Sequence, residues 1–274
     1  MIRINMFKNA LAINLVVFLN FSNVQAQDLF ILPNGHSHND YTREKPLYDA
    51  LKYGFPSIEA DVFLFENRMV VTHDDKQLNE KPTLEELYLN PLRKIINENG
   101  GTVFKNDSTQ LILMVDLKSG KVDAYNGLKK IFSNYLDLIE WYDHGEVKWG
   151  AIKILLTGEP PIDRIENEDI RYFYVDGAIG QWSMDYPINL MPRASANYRD
   201  YFKWFGKGAM PPSEVQQLKM LISKAHQSGR KVRFWGCPNT VDVWEKLLDE
   251  GVDWINVDDL KGFSEFYMKR IQQK

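Results

Sequence analysis

The sequence predicts an α/β fold, a parallel sheet with its helices outside, of a size that suits a single (β/α)8 barrel. Three observations carry this. Short runs of β-branched or aromatic residues alternate with segments of helical period along nearly the whole chain. Taking an export leader, residues 1–26, from the 274 residues leaves 248, close to the ~250 typical of such a barrel. Polar clusters sit at the ends of apolar runs, at GHSHNDY (35–41), IEADV (58–62) and VVTHDD (70–75), and strand ends are where parallel α/β proteins carry their chemistry.

The leader comes first. Arg3 and Lys8 precede an apolar stretch, Ala10 to Phe21, broken by Asn14 and Asn20, and Val24-Gln25-Ala26 offers small residues before a cut after Ala26. That is a secretory pattern, too short and too interrupted for a membrane span. It predicts an exported, periplasmic or extracellular protein, with the barrel over 27–274 and no integral membrane segment in the mature chain. The leader holds two basic residues and no acid, so its loss takes the net charge from −4 to −6. An acidic chain without a basic face argues against a nucleic-acid partner. The single Cys237 allows no internal disulfide, so stability rests on the core.

The strand candidates, in order, are Leu29–Pro33, Ser57–Phe65, Met69–Thr72, Leu111–Leu117, Ala151–Leu156, Arg171–Val175, Ile188–Met191, Lys231–Trp235 and Asp253–Val257. Phe65–Arg68 reads as a tight turn, which makes Ser57–Thr72 one bent strand pair and leaves eight strands to close the sheet. Helices are expected over Pro46–Tyr53, after the Thr83-Leu-Glu-Glu86 capping box, and over Val122–Tyr135, Ser213–Gln227, Thr240–Glu250 and Leu260–Ile271. Gly251 offers a natural C-terminal stop.

The chemistry starts with the carboxylates. Glu59 and Asp61 are two apart in a strand and share a face. Paired acids beside Ile58, Val62 and Phe63 are tolerable where a cation sits between them. Asp116 ends the apolar run LILMVD, with Lys118 two residues on and on the same face. Three acids at strand ends fit an oxygen-ligated Mg²⁺ or Ca²⁺ better than a set of surface ion pairs. His38 and His73 each follow a strand. With oxygens as ligands, both imidazoles are free to move protons near neutral pH. His36 either supports the site or caps its strand, while His144 and His226 read as structural. Trp235 walls the cleft or packs the barrel. Asp258 positions substrate or caps the last helix. Ser195 and Asn197 are candidate head-group contacts.

SHNDY, Glu-x-Asp and the His-Asp of 73–74 together resemble the phosphatidylinositol-phospholipase-C-like phosphodiesterase superfamily, which includes the glycerophosphodiester phosphodiesterases. Within it, PLYDAL (46–51), MPRASANYRDYFKWFGKG (191–208) and VRFWGCPNTVDVWEKLLDEGVDWINVDDL (232–260) resemble the altered inheritance of mitochondria protein 6 family and its bacterial members. The resemblance implies a TIM-type barrel that cleaves phosphodiesters. It implies His38 and His73 as the acid–base pair, Glu59, Asp61 and Asp116 as metal ligands, Asn39 as a further ligand, and Lys118 as a holder of a phosphate oxygen. The substrate it implies is a small or lipid-derived phosphodiester. Two departures stand out. Asn39 follows His38 where glycerophosphodiesterases have Arg, and Asp116 stands where relatives often carry the longer Glu.

Two other readings compete. His36-Ser37-His38 is also the entry motif of amidohydrolases and histidinol-phosphatase-like metalloenzymes. Those sites need further His at later strand ends, which here carry Asp116, Gly158, Gly177, Trp235 and Asp258. A barrel that binds a ligand without turnover is the other, since fold alone does not fix function.

Overall fold

The computed structural model describes residues 30–179 and 186–273. The leader expected over 1–26 lies outside them. Eight parallel strands close into a barrel: β1 (Gly35–Ser37), β2 (Ser57–Phe65), β4 (Leu111–Leu117), β7 (Ile152–Gly158), β9 (Tyr174–Ala178), β10 (Arg193–Asn197), β11 (Lys231–Trp235) and β12 (Trp254–Val257). Closure is made at β1, where His36 stands opposite Asn256 of β12 and Ser57 of β2. β3 (Arg68–Val71) folds back antiparallel on β2. The turn between them, Glu66-Asn67, has positive φ at both residues, the geometry of a tight hairpin. A small sheet of β5 (Trp141–Asp143), β6 (Glu146–Lys148) and β8 (Ile170–Arg171) packs at the side. The helices are α1 (Tyr48–Lys52), α2 (Asn90–Glu98), α3 (Lys121–Phe132), α4 (Ile162–Glu166), α5 (Tyr198–Tyr201), α6 (Pro212–Gln227), α7 (Val241–Asp249) and α8 (Leu260–Gln272). None of the described helices is long and apolar enough to cross a membrane.

Strands with continuous apolar character lie where the sequence puts them: β2, β4 and β11 match residue for residue. The Thr83 capping box also forms. The Thr83 backbone N–H donates to Glu86 at 2.8 Å and the Glu86 N–H to the Thr83 hydroxyl at 3.2 Å. Three expectations need correction. Phe30–Asn34 is loop and turn, closed by the Gly35 N–H on the Leu32 carbonyl at 2.9 Å, and the first strand follows it. Arg171–Val175 splits between β8 and β9. Ile188–Met191 is a turn, with the Leu190 and Met191 N–H groups both donating to the Pro187 carbonyl, and the strand there is β10. β10 reads Arg-Ala-Ser-Ala-Asn, with no β-branched residue to mark it; its small alanines pack outward under the helices.

Period-2 alternation divides the buried side chains into two populations. Leu111, Leu113, Val115 and Leu117 of β4 point outward and join the main core beneath the helices. Ile112 and Met114 point into the barrel and meet Leu155 and Tyr174. Around α8 the outer core is aromatic: Phe263 is fully buried and lies edge-on to Trp244 at 5.2 Å, with Phe55 at 5.8 Å. Phe263→Ala is expected to cost about 3–5 kcal/mol in urea unfolding, the range for a buried aromatic that leaves a cavity.

Candidate active site

The inward residues of β2, β4 and β7 bring Asp61, Asp116 and Thr157 to one level, because Asp61 pairs with Asp116 and Asp116 with Thr157 across adjacent strands. Glu59 lies one inward step below Asp61. Above them a cavity of about 420 Å³ opens at the C-terminal end of the barrel, lined by His38, Asn39, Glu59, His73, Asp116, Lys118, Thr157, Gly158, Arg233 and Trp235.

The floor is charged. Arg233, buried in β11, donates to Glu59 at 3.1 Å and to Asn256 at 2.8 Å, and its other terminal nitrogen lies 3.4 Å from Asp176. His36 is fully buried, with Nδ1 2.7 Å from the Ser57 hydroxyl and Nε2 3.2 Å from Glu59. Burial, helped by the Arg233 charge, holds the His36 pKa well below its ordinary value. The neutral ring then donates from Nε2 to Glu59 and accepts the Ser57 hydroxyl at Nδ1. Burial works against ionisation of Glu59 too, but Arg233 and the His36 hydrogen bond outweigh it and hold the carboxyl well below the usual range.

Asp61 is fully buried and uses its two oxygens differently. Oδ2 accepts the Tyr41 hydroxyl at 2.8 Å, faces His73 Nδ1 at 2.8 Å and lies 3.0 Å from Lys118 Nζ. Oδ1 is buried with no hydrogen-bond partner. An orphaned, buried carboxylate oxygen is costly unless something cationic meets it. Ligand oxygens of Glu59, Asp61 and Asp116 lie within 4.8 Å of one another. This all-oxygen set fits a hard divalent cation. Asp116 needs the space that Gly158 leaves: a Cβ on Gly158 would come within 2.2 Å of its Oδ1, and the φ of +80° suits glycine. Burial raises the Asp116 pKa, opposed by Lys118, whose Nζ donates to Oδ2 at 2.6 Å. Burial alone would depress Lys118, but the Asp116 hydrogen bond and both acids raise it, so it stays charged. Asn39, in left-handed conformation at φ 46°, lies on the same rim.

Each imidazole on the cavity has one nitrogen fixed by a carboxylate. His38 Nδ1 is 2.7 Å from Asp258, which Asn239 holds through its amide nitrogen at 2.6 Å and its amide oxygen on the Asp258 N–H at 2.7 Å. His73 Nδ1 is on Asp61. In each ring the other nitrogen, Nε2, is the one not held by that carboxylate.

The profile of the AIM6-like phosphodiesterase domain matches residues 26–176, just over half of the chain. The chain belongs to the AIM6-like phosphodiesterase family. Altered inheritance of mitochondria protein 6 of Lachancea thermotolerans is 28% identical over an alignment covering 84% of this chain and 65% of that protein. The Eremothecium gossypii protein of the same name is 29% identical, covering 88% and 71%. The Arthroderma benhamiae homologue is 27% identical, covering 85% and 83%. The chain thus spans just under two thirds of the first relative's length. Among solved structures, a glycerophosphodiester phosphodiesterase from Parabacteroides distasonis superposes with a TM-score of 0.55 at 16% identity, covering 87% of this chain and 98% of that one. A second from the same organism gives 0.50 at 14% identity, covering 89% and 88%. At these identities the likeness is one of fold: a TIM barrel of the glycerophosphodiesterase type.

In this family member, His38, Asn39, Glu59, His73, Asp116, Lys118 and Trp235 line the cavity, and Asp61, Asp258 and His36 are in contact with residues that do. Trp235, 45% exposed, stands at its wall. Asp258 sits behind His38 and does not cap the last helix; Asp259 does, accepting the Gly262 N–H at 2.9 Å. Ser195 and Asn197 are not among the cavity-lining residues. Ser195 lies inside β10 with its hydroxyl on Asp176, below the cavity wall. Asn197 caps α5 through the Arg199 N–H. His36 has both ring nitrogens engaged on the floor, which does not suit the zinc His-x-His reading. The site also draws on Arg233, Tyr41, Arg43 and Asn239, none of them among the candidates named from the sequence. Arg233 is two residues before Trp235, so the alternation that links Glu59 with Asp61 pointed to it. Arg43 ties the loop after β1 to β12 through the His38, Val257 and Asp258 carbonyls.

The neutral burial of His36 has a pH signature. Below about pH 6.5 the unfolded chain protonates this ring and the folded one does not, so stability falls as pH falls, by up to about 1.4 kcal/mol per pH unit. His36→Gln is expected to lower stability at pH 7 and to flatten this dependence between pH 6.5 and 5. Denaturant unfolding of both proteins across that range measures it.

Proposed function

We propose that the protein is an exported phosphoric diester hydrolase, dependent on Mg²⁺ or Ca²⁺, that cuts a glycerophosphodiester or phospholipid head-group diester by acid–base catalysis between His38 and His73. The observation that carries this reading is the meeting of two carboxylate-fixed imidazoles and a buried three-acid cluster in one cavity. Pure ligand binding gives no reason for such a pair of proton carriers. The cavity of about 420 Å³ suits a head group rather than a whole lipid. The leader-like residues 1–26 support export.

Glu59, Asp61 and Asp116 would hold the cation, with Asn39 beside them. Bound there, it would supply positive charge to a non-bridging phosphate oxygen as charge builds up. The remaining work belongs to side chains. One imidazole takes the proton of the attacking hydroxyl through Nε2, whether that of water or of a neighbouring alcohol on the substrate. The other gives its proton to the departing alkoxide. Asp258 and Asp61 orient the rings and stabilise each imidazolium as it forms. Tyr41 holds Asp61 in place through Oδ2. Lys118 adds a second positive charge at the phosphate. Arg233 has its donors committed to Glu59, Asp176 and Asn256, so it acts through Glu59 rather than on substrate.

His38→Ala and His73→Ala are each expected to lower kcat roughly 10²–10⁴-fold while leaving the far-ultraviolet spectrum intact. The assay is a panel of glycerophosphodiesters, phosphatidylinositol and a chromogenic phosphodiester, with and without EDTA. Hydrolysis that survives EDTA counts against the cation, and near-normal turnover by either variant counts against the histidine pair. A mature N-terminus at Gln27 on secreted protein checks export.

A further inference from the structure

Lys118 occupies an unusual place for a substrate ligand. Its ammonium bridges two of the three acids, at 2.6 Å from Asp116 Oδ2 and 3.0 Å from Asp61 Oδ2, and its side chain is only 24% exposed. The backbone holds it there, because the Lys118 N–H donates to the Val62 carbonyl at 3.0 Å, extending the register of β2 and β4 by one residue.

The same acids form the cluster that suits a divalent cation. Asp61 has a spare oxygen, the buried Oδ1, and can meet an incoming cation without giving up its contacts on Oδ2. Asp116 has less room. Its Oδ1 lies against the Gly158 backbone, where even a methyl group would collide, and its Oδ2 carries the ammonium. A cation shared by Asp61 and Asp116 therefore arrives beside a like charge in a partly desolvated site, where repulsion is poorly screened.

We propose that Lys118 is a built-in counter-ion that neutralises Asp61 and Asp116 while the site lacks a divalent cation, and that it is displaced from Asp116 when the cation loads. This rests on the cation-dependent reading above and adds a role for the lysine within it. Lys118 sets the affinity for the cation by competing for its ligands. Once displaced, the ammonium remains on the cavity wall and turns to the anionic oxygen of the substrate. Cation loading thereby prepares the phosphate subsite.

The test is calorimetric titration of wild type, Lys118→Met and Lys118→Arg with CaCl2 and with MgCl2. Methionine keeps the length and removes the charge. Lys118→Met is expected to bind at least about tenfold more tightly than wild type, and Lys118→Arg no more tightly than wild type. Equal or weaker binding by a folded Lys118→Met overturns the proposal and leaves the cation-dependent reading standing. Absence of binding by both proteins overturns the two together. A second measurement needs no variant. Reductive methylation of wild-type protein, read by peptide mass spectrometry, is expected to label Lys118 several-fold faster with saturating CaCl2 than without, relative to the exposed Lys94 on α2. Labelling of Lys118 that stays the same or slows overturns the proposal even if Lys118→Met does not fold.

Discussion

The contact on which the rest of the site depends is the one between Arg233 and Glu59 in the middle of the barrel. Both side chains are almost wholly buried, at 2% and 7% exposure. Taking two such charges out of water costs several kcal/mol each, and only good geometry with further hydrogen bonds repays it. The repayment is visible. Arg233 also reaches Asn256 and Asp176, and Glu59 also takes the His36 donor. A second buried pair completes the floor. Arg193 Nε lies 3.4 Å from Asp176, and burial pushes the Arg193 pKa down to about 10. Two guanidinium groups thus face two carboxylates, and His36 stays neutral between them. The balance keeps Glu59 ionised beneath the cavity.

The upper layer is built on that floor with the opposite economy. At Asp61 all the donors from the protein converge on one oxygen, and the other is buried bare. Tyr41, His73 and Lys118 reach Asp61 from the loop after β1, the end of β3 and the end of β4. Three separate elements thus fix one carboxylate. A group so constrained cannot rotate to satisfy its second oxygen. His38 is fixed in a similar way, by Asp258, Asn239 and the Arg43 staple across the barrel seam.

Much of this was legible because it follows local rules. β2 and β4 are long apolar runs, so their ends could be located and the acids on them assigned to one face. Other parts obey no local rule. β10 has alanines outward and Arg193 and Ser195 inward, the reverse of the pattern by which a strand is recognised from its apolar residues. Its inward residues meet partners on the neighbouring strands, Arg193 opposite Asp176 and Ser195 opposite Arg233, which lie 17 and 38 residues away in sequence. The pairing of His38 with Asp258 joins residues 220 apart and exists only because β1 and β12 meet at the seam. A carboxylate after a strand and before a helix reads equally well as a cap. Only closure of the sheet shows that the cap is the next residue, Asp259.

The barrel interior is asymmetric. On one side Ile112, Met114, Leu155 and Tyr174 form an apolar plug, and on the other lie the buried charges. Beneath the plug, Glu140 accepts the Tyr174 hydroxyl, pairs with Lys153 at 2.9 Å and takes the Gln110 amide at 2.7 Å. This lower network satisfies the polar groups at the N-terminal end of the barrel and keeps them apart from the acids above. Among the described residues, His38, His73 and Lys118 stand above that floor, on the cavity that opens at the C-terminal face. A TIM barrel by itself implies no particular reaction. Here the apolar residues on one side of the barrel interior and the paired charges on the other leave a polar cavity at its C-terminal face.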